Sequence, residues 1–327
     1  VNAVSASAPG KIILFGEHAV VYGQPALAVP VTQVRATATV SPHPLPLREA
    51  PLWGSPRERG VWIDVRDLGR RYRLDDAQAD DPLAASVRLT LHRLSPAYER
   101  STPPCTITIS STIPIASGLG SGAAVCTAIV RALSVYLHSP LSTLELSAIV
   151  FETEKLLHGT PSGIDNTVIA YEQPVYFVKG QPPEPFTVAH PFQLLIADTG
   201  IPSPTKTAVG DVRAAWQKEP ERYDQIFGAI GEVVREARSL IEAGQPEQLG
   251  PRMNRNQQLL RELNVSSPEL ESLVEAAHAA GALGAKLSGG GRGGNMIALV
   301  TPETEGAVRI ALERAGAKRV LCTTVDD

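Results

Sequence analysis

Lys11, Glu17 and His18 flank the apolar run in Pro9-Gly-Lys-Ile-Ile-Leu-Phe-Gly-Glu-His18, and Glu154 and Asp165 stand on either side of His158-Gly-Thr-Pro-Ser-Gly. Together they offer a cation, a carboxylate to address a hydroxyl, and a carboxylate to hold a metal. Phosphoryl transfer needs those parts and a phosphate cradle. A candidate cradle is Pro114-Ile-Ala-Ser-Gly-Leu-Gly-Ser-Gly-Ala-Ala124, which follows the alternating run Thr106-Ile-Thr-Ile-Ser110 and opens into a helical pattern with Val125, Ile129, Ala132, Leu133 and Tyr136 on one face. Backbone N–H groups and the positive end of a helix dipole then point at whatever fills the loop. Taken alone, the segment reads equally well as a tight strand-to-helix turn without a ligand. It is not a Walker A loop, because Gly120 is followed by Ser121 and Gly122, and the Rossmann spacing is absent after a first strand. A third glycine run, Lys286-Leu-Ser-Gly-Gly-Gly-Arg-Gly-Gly294, leads into the strand-like Asn295-Met-Ile-Ala-Leu-Val300.

The elements that must position these residues are partly legible. Val34-Arg-Ala-Thr-Ala-Thr-Val40 keeps a period of two and predicts a strand, and Phe192-Gln-Leu-Leu-Ile-Ala197 predicts a buried one. A helix is expected from Ser142 to His158, opened by a Ser142/Glu145 capping box and stopped by Gly159. Glu154 then lies about one turn before the helix end, and Asp165 in or just beyond the following turn. Further helices are expected at about Asp224–Ala243, from Pro268 behind an N-cap at Ser267 to near Gly281, and after Thr301-Pro302. The proline-rich stretch 41–60 suits an exposed loop or hairpin, either a flap beside a site or decoration. Gly180-Gln-Pro-Pro-Glu-Pro185 marks a boundary, giving domains over 1–185 and 186–327.

Composition bounds the function. With 327 residues, 43% hydrophobic and 20% charged, the chain has material for a large core and two domains. A net charge of −4 makes no electrostatic case for nucleic acid or an anionic membrane surface. No apolar stretch of spanning length and no signal-like N-terminus are read, so a cytoplasmic location is expected. Cys105, Cys126 and Cys322 have no paired metal-ligand spacing and read as structural thiols in a reducing compartment.

In order and separation, the segments 9–23, 114–124 and 286–294 resemble the three signature motifs of the galactokinase, homoserine kinase, mevalonate kinase and phosphomevalonate kinase superfamily. Gly-Lys-Ile-Ile-Leu-Phe-Gly-Glu-His-Ala-Val-Val-Tyr-Gly-Gln-Pro-Ala and His158-Gly-Thr-Pro-Ser-Gly-Ile-Asp-Asn166 are most similar to its mevalonate kinase branch. The likeness runs over nearly the whole chain. It implies an α+β, two-domain small-molecule kinase fold, with an N-terminal ribosomal-protein-S5-like domain, a C-terminal ferredoxin-like domain and the active site between them. It implies ATP as co-substrate with Mg²⁺, mevalonate as acceptor, and transfer to the C5 hydroxyl. Homodimers and inhibition by downstream prenyl diphosphates occur in that family.

Carried over by position, Asp165 matches the catalytic aspartate and Lys11 the lysine near the same hydroxyl, which also serves in substrate binding. Glu17, His18, Ser162 and Thr205 match residues on the substrate side. A protonated His18 and Lys11 are expected to hold the substrate carboxylate. Pro114, Ser117, Gly118, Leu119, Gly120, Ser121, Gly122 and Ala123, with Gly289, Gly290 and Gly291, match the ATP and phosphate loops. Glu154 matches the metal-binding glutamate. The family's serine pair is Ser121-Gly122 here, so the metal reading rests on Ser121 and Glu154 with phosphates and water. Arg292 interrupts the last glycine run and is expected either to reach a phosphate or to point to solvent. Two rival readings are a kinase for phosphomevalonate or another small alcohol, and a non-catalytic sensor on the same fold.

Overall fold

The computed structural model describes residues 2–42, 60–94, 104–114, 117–158, 161–203 and 205–326. Most of the 41–60 stretch and the helix stop at Gly159 lie outside the described residues. The chain divides into two compact units, one made of Val1–Gly10, Val34–Ile113 and Ser121–Ala170, the other of Lys11–Gln33, Pro114–Gly120 and Tyr171–Asp327. Two long strands, β1 (Val4–Phe15) and β2 (Ala26–Pro42), pair with each other and contribute residues to both units. The expected strand at 34–40 is thus the second half of β2.

In the first unit the sheet order is β4-β3-β5-β2, with β3 (Val61–Val65), β4 (Arg70–Arg73) and β5 (Cys105–Ser111). β3 runs parallel to β5, and β2 antiparallel to it in the register Ala38↔Ile109. Among the described residues α1 (Pro82–Leu94) lies between β4 and β5, and α2 (Ser121–Tyr136), α3 (Thr143–His158) and α4 (Ile164–Tyr171) follow β5. α2 packs against α1, α3 and β5, so it is buried nearly all round. Its expected single apolar face is too narrow a description, since Cys126, Thr127, Ala128 and Val130 are enclosed with Ile129 and Leu133. The capping box on α3 forms as the spacing predicts: the Ser142 N–H donates to Glu145 Oε2 at 3.0 Å, and the Glu145 N–H to Ser142 Oγ at 3.3 Å.

The second unit pairs β2 with β6 (Val175–Phe177), and β6 with β7 (Glu184–Pro185). It also holds a four-stranded antiparallel sheet in the order β11-β8-β10-β9, from β8 (Phe192–Asp198), β9 (Gly284–Ser288), β10 (Asn295–Val300) and β11 (Arg319–Val325). Between β8 and β9 come α5 (Thr205–Lys218), α6 (Pro220–Glu242), α7 (Leu249–Glu262) and α8 (Pro268–Ala279), and α9 (Glu305–Arg314) precedes β11. That strand order, with helices between β8 and β9 and again between β10 and β11, is the ferredoxin-like arrangement.

Ser267 caps α8 as expected, its Oγ accepting from the Leu270 N–H. The helix expected from Asp224 begins at Pro220, because proline is tolerated in a first helical turn, where its missing N–H has no intrahelical partner. α7 lies directly on β9: a Cβ on Gly250 would come within 2.2 Å of Leu283 O, so only glycine allows this approach. The open edge of β9 is closed by side chains of that helix. Ala285 N–H donates to Asn254 Oδ1 at 3.1 Å, and Leu287 N–H to Gln257 Oε1 at 2.9 Å.

Candidate active site

Most of the first motif, the loop before α2 and the third glycine run fall in the second unit and are tied to one another there. Lys11 N–H donates to Leu119 O at 3.0 Å, and Ser288 Oγ donates to Ile13 O at 2.7 Å. Asn295, at the start of β10, donates its side-chain amide to Ser117 O. Within the loop, Ser117 Oγ donates to Pro114 O at 2.9 Å, Leu119 is buried, and Gly118 and Gly120 take φ of 81° and 72°. Left-handed glycines of this kind turn successive N–H groups to one side of a loop.

The turn after β1 is a 3-10 helix, Ala19–Tyr22, closed by Gly23 in the left-handed region. Its last residue is fixed from outside. The Tyr22 ring stacks on Phe227 of α6 at 4.0 Å and meets Trp216 of α5 at 5.3 Å, while Trp216 Nε1 donates to Asp224 Oδ1 at 2.8 Å. Sequence reasoning did not find this aromatic anchor, because its members lie about 200 residues apart.

His18 has φ of 60° and is 6% exposed, and its Nε2 lies 3.0 Å from Gly290 O. A carbonyl only accepts, so Nε2 carries the hydrogen and Nδ1 is left as an acceptor. Burial, with a smaller contribution from the Arg292 charge and against the Gly290 hydrogen bond, lowers the imidazole to a pKa of about 4. His18 is therefore neutral at pH 7, which corrects the expectation of a protonated His18. The unfolded chain takes up a proton near pH 6.5 and the folded chain does not until about pH 4, so this contribution is complete above 6.5 and lost on the way down to 4. It amounts to about 3 kcal/mol. His18→Asn, which suits the positive φ, is expected to flatten stability against pH between 6.5 and 4 in urea titrations; an unchanged slope would refute the assignment.

Thr205 opens α5 and lies against the third glycine run: a Cβ on Gly290 would meet Thr205 Oγ1 at 2.6 Å. Ser203 Oγ donates to Gly291 O at 2.8 Å. Glu17, His18, Thr205 and Gly289–Gly291 are thereby brought together. Glu17 is 1% exposed, and its Oε1 accepts from Lys286 Nζ, a partner that sequence reasoning had not singled out.

Arg292 does not simply point to solvent. Its guanidinium pairs with Asp211 and donates to Asn264 O at 3.3 Å, while its N–H donates to Val265 O at 2.7 Å. The pair is partly exposed, so Arg292→Ala is expected to cost about 1 kcal/mol or less in thermal or urea unfolding. The ATP KM should stay within roughly twofold; a large rise would restore a phosphate contact.

Ser121, Gly122, Ala123, Glu154, Ser162 and Asp165 lie in the first unit. Asp165 is the second residue of α4, in its first turn, where the helix dipole favours a carboxylate. Ser162 Oγ accepts from Ile164 N–H at 3.3 Å, and Asn166 donates to Ser147 Oγ at 2.9 Å and Ser147 O at 3.2 Å on α3. Thr167 Oγ1 donates to Gly163 O at 2.7 Å, so Asp165 is held between anchored neighbours.

Glu154 is 3% exposed and lies near enough to Cys126 on α2 for its charge to help burial raise that thiol to about 12. Ser121 opens the same helix. A buried carboxylate and a hydroxyl make a hard, all-oxygen donor set, which suits Mg²⁺. Among the described residues no three His, Cys, Asp or Glu side chains cluster to hold a metal, so phosphate oxygens and water would complete such a shell. Cys105, Cys126 and Cys322 are free, the first two buried, and among the described residues no helix is long and apolar enough to cross a membrane.

Two family models match the chain, the GHMP kinases N terminal domain over residues 85–173 and the GHMP kinases C terminal model over 237–318. The mevalonate kinase of Thermococcus gammatolerans is 35% identical over 331 residues, covering 96% of this chain and 93% of its own length. That of Pyrococcus horikoshii is 36% identical over 325 residues, covering 97% and 94%. The crystal structure of L. major mevalonate kinase in complex with R-mevalonate is 28% identical, with a TM-score of 0.80 over 98% of this chain and 95% of that one.

Proposed function

The chain belongs to the mevalonate kinase branch of the GHMP kinases, and from that membership we propose that it transfers the γ-phosphoryl group of ATP to the C5 hydroxyl of mevalonate, giving 5-phosphomevalonate and ADP. The near full-length likeness to mevalonate kinases carries this reading. The signature residues support it, since Lys11, Glu154 and Asp165 are all retained.

In this reading Asp165 orients the C5 hydroxyl and receives its proton, while Lys11 neutralises the charge that develops on the attacking oxygen. Backbone N–H groups of residues 117–123 and 289–291, with Pro114 shaping the first loop, hold the phosphates. Glu154 and Ser121 hold Mg²⁺, which when bound with ATP neutralises charge on the β- and γ-phosphates. Lys11, Ser162 and Thr205 bind the acceptor, with Glu17 and His18 forming the end of its site. Because His18 is neutral and its one N–H is taken by Gly290 O, it offers shape rather than charge at the carboxylate end of the site.

Residues 1–185 carry ATP binding and the catalytic aspartate, and 186–327 complete the substrate and phosphate sites. Free buried thiols suit a reducing cytoplasm. In a loose transition state the proton moves late, so rate comes chiefly from positioning and charge neutralisation.

A coupled ADP-release assay against mevalonate, 5-phosphomevalonate, homoserine and galactose tests the proposal. Turnover confined to mevalonate is expected. Preference for another alcohol would change the acceptor, and ligand binding without turnover on any would favour a sensor.

A further inference from the structure

Lys286 is a charged residue inside a fully buried strand, and the reaction scheme does not use it. Its side chain is completely enclosed; Nζ pairs with Glu17 Oε1, donates to Leu287 O at 2.6 Å and lies 6.0 Å from the Phe15 ring centre. Burial pushes Glu17 up and Lys286 down, and each draws the other back toward its charged form. The N–H groups of Gly289 and of Glu17 itself also favour the carboxylate. Glu17 Oε2 is enclosed and makes no hydrogen bond among the described residues.

A buried ion pair is weak evidence of stabilisation, because an apolar pair of similar volume often does as well. The position of this one is more informative. Glu17 directly precedes His18, and Lys286 lies three residues before Gly289. The pair therefore joins the first motif to the third beside the contact between His18 Nε2 and Gly290 O, and Thr205 packs on the same glycine.

We propose that Lys286 and Glu17 are positioning residues, whose ion pair locks His18 as the neutral Nε2–H tautomer on Gly290 and so holds the first-motif turn and the third glycine loop in working register. The inference rests on the phosphoryl-transfer reading above. Arg292, whose charge acts on His18, is itself paired with Asp211 and stays in place in the test.

The test is the double variant Glu17→Gln/Lys286→Met, which removes both charges without stranding either. Melting temperature, kcat, both KM values and the ¹⁵N shifts of the His18 ring are measured. The variant is expected to melt within a few degrees of the parent. Its kcat should fall about thirtyfold or more, and His18 should pass from one tautomer to a mixture. A parent-like melt with parent-like kcat would make the pair merely structural and overturn the proposal; so would a lowered kcat with the tautomer unchanged.

Should the variant not fold, the parent protein decides the matter. A ¹³C carboxylate shift of ionised Glu17 and an Nε2–H His18 from pH 6 to 9 are required, and a protonated Glu17 or an Nδ1–H ring would refute the role. These NMR readouts need no acceptor, so a parent silent on mevalonate would count against the acceptor and leave the pair to be judged by its spectra.

Discussion

Asp165→Asn is expected to lower kcat on mevalonate by about 10³-fold, with the KM for ATP within roughly twofold of the parent. The substitution is nearly isosteric and should leave the local fold alone. Asp165 sits in the first turn of α4, and Ser162, Asn166 and Thr167 supply hydrogen bonds that fix its neighbours there. What is lost is the charge that orients the hydroxyl and the group that accepts its proton. ATP, held by backbone amides and a metal in this account, should not register the change. Steady-state kinetics with both substrates varied check this, and near-parental turnover would remove Asp165 from the chemistry.

Gly291→Ala is expected to cost about 3 kcal/mol and, in whatever fraction folds, to raise the KM for ATP about tenfold. Gly291 has φ of 74°, and a Cβ there would stand 2.0 Å from Val265 O, a backbone atom that cannot rotate away. The loop must therefore move, taking with it the Gly291 carbonyl that Ser203 holds and the neighbouring Gly290 that His18 holds. Gly289→Ala is the control. Its φ of 91° also disfavours a side chain, but among the described residues nothing lies within 4 Å of the added carbon, so a cost of about 1 kcal/mol with little kinetic change is expected. Urea denaturation and ATP titration of the two variants test the contrast, and equal effects would mean that backbone strain, not the approach to Val265, governs the loop.

Features with a local physical cause were legible in the sequence. The Ser142/Glu145 capping box, the Ser267 cap and the glycine runs were found because their partners lie within a few residues. α5 escaped notice because it buries only Ala208 and Val212, too few for a periodic signal. α7 was hidden for the opposite reason: part of its inner face is polar, with Asn254 and Gln257 serving the edge of β9, so hydrophobic spacing describes it poorly.

The candidate site shows the same division. The motifs named Lys11, His18, Glu154 and Asp165, yet nothing local tells that His18 is neutral, since its state follows from enclosure by residues about 270 positions away. Lys286 appears in the sequence only as the first residue of the third glycine run. Only the tertiary structure reveals that Glu17, 269 residues distant, has taken its charge.

The central claim is transfer to one hydroxyl of one acceptor, and ³¹P NMR of the product formed from MgATP and mevalonate tests it most directly. A single new phosphomonoester resonance coupled to the two C5 methylene protons, growing in step with ADP, is the predicted result. A phosphate on the tertiary C3 oxygen, or ADP accompanied only by inorganic phosphate, would contradict the account.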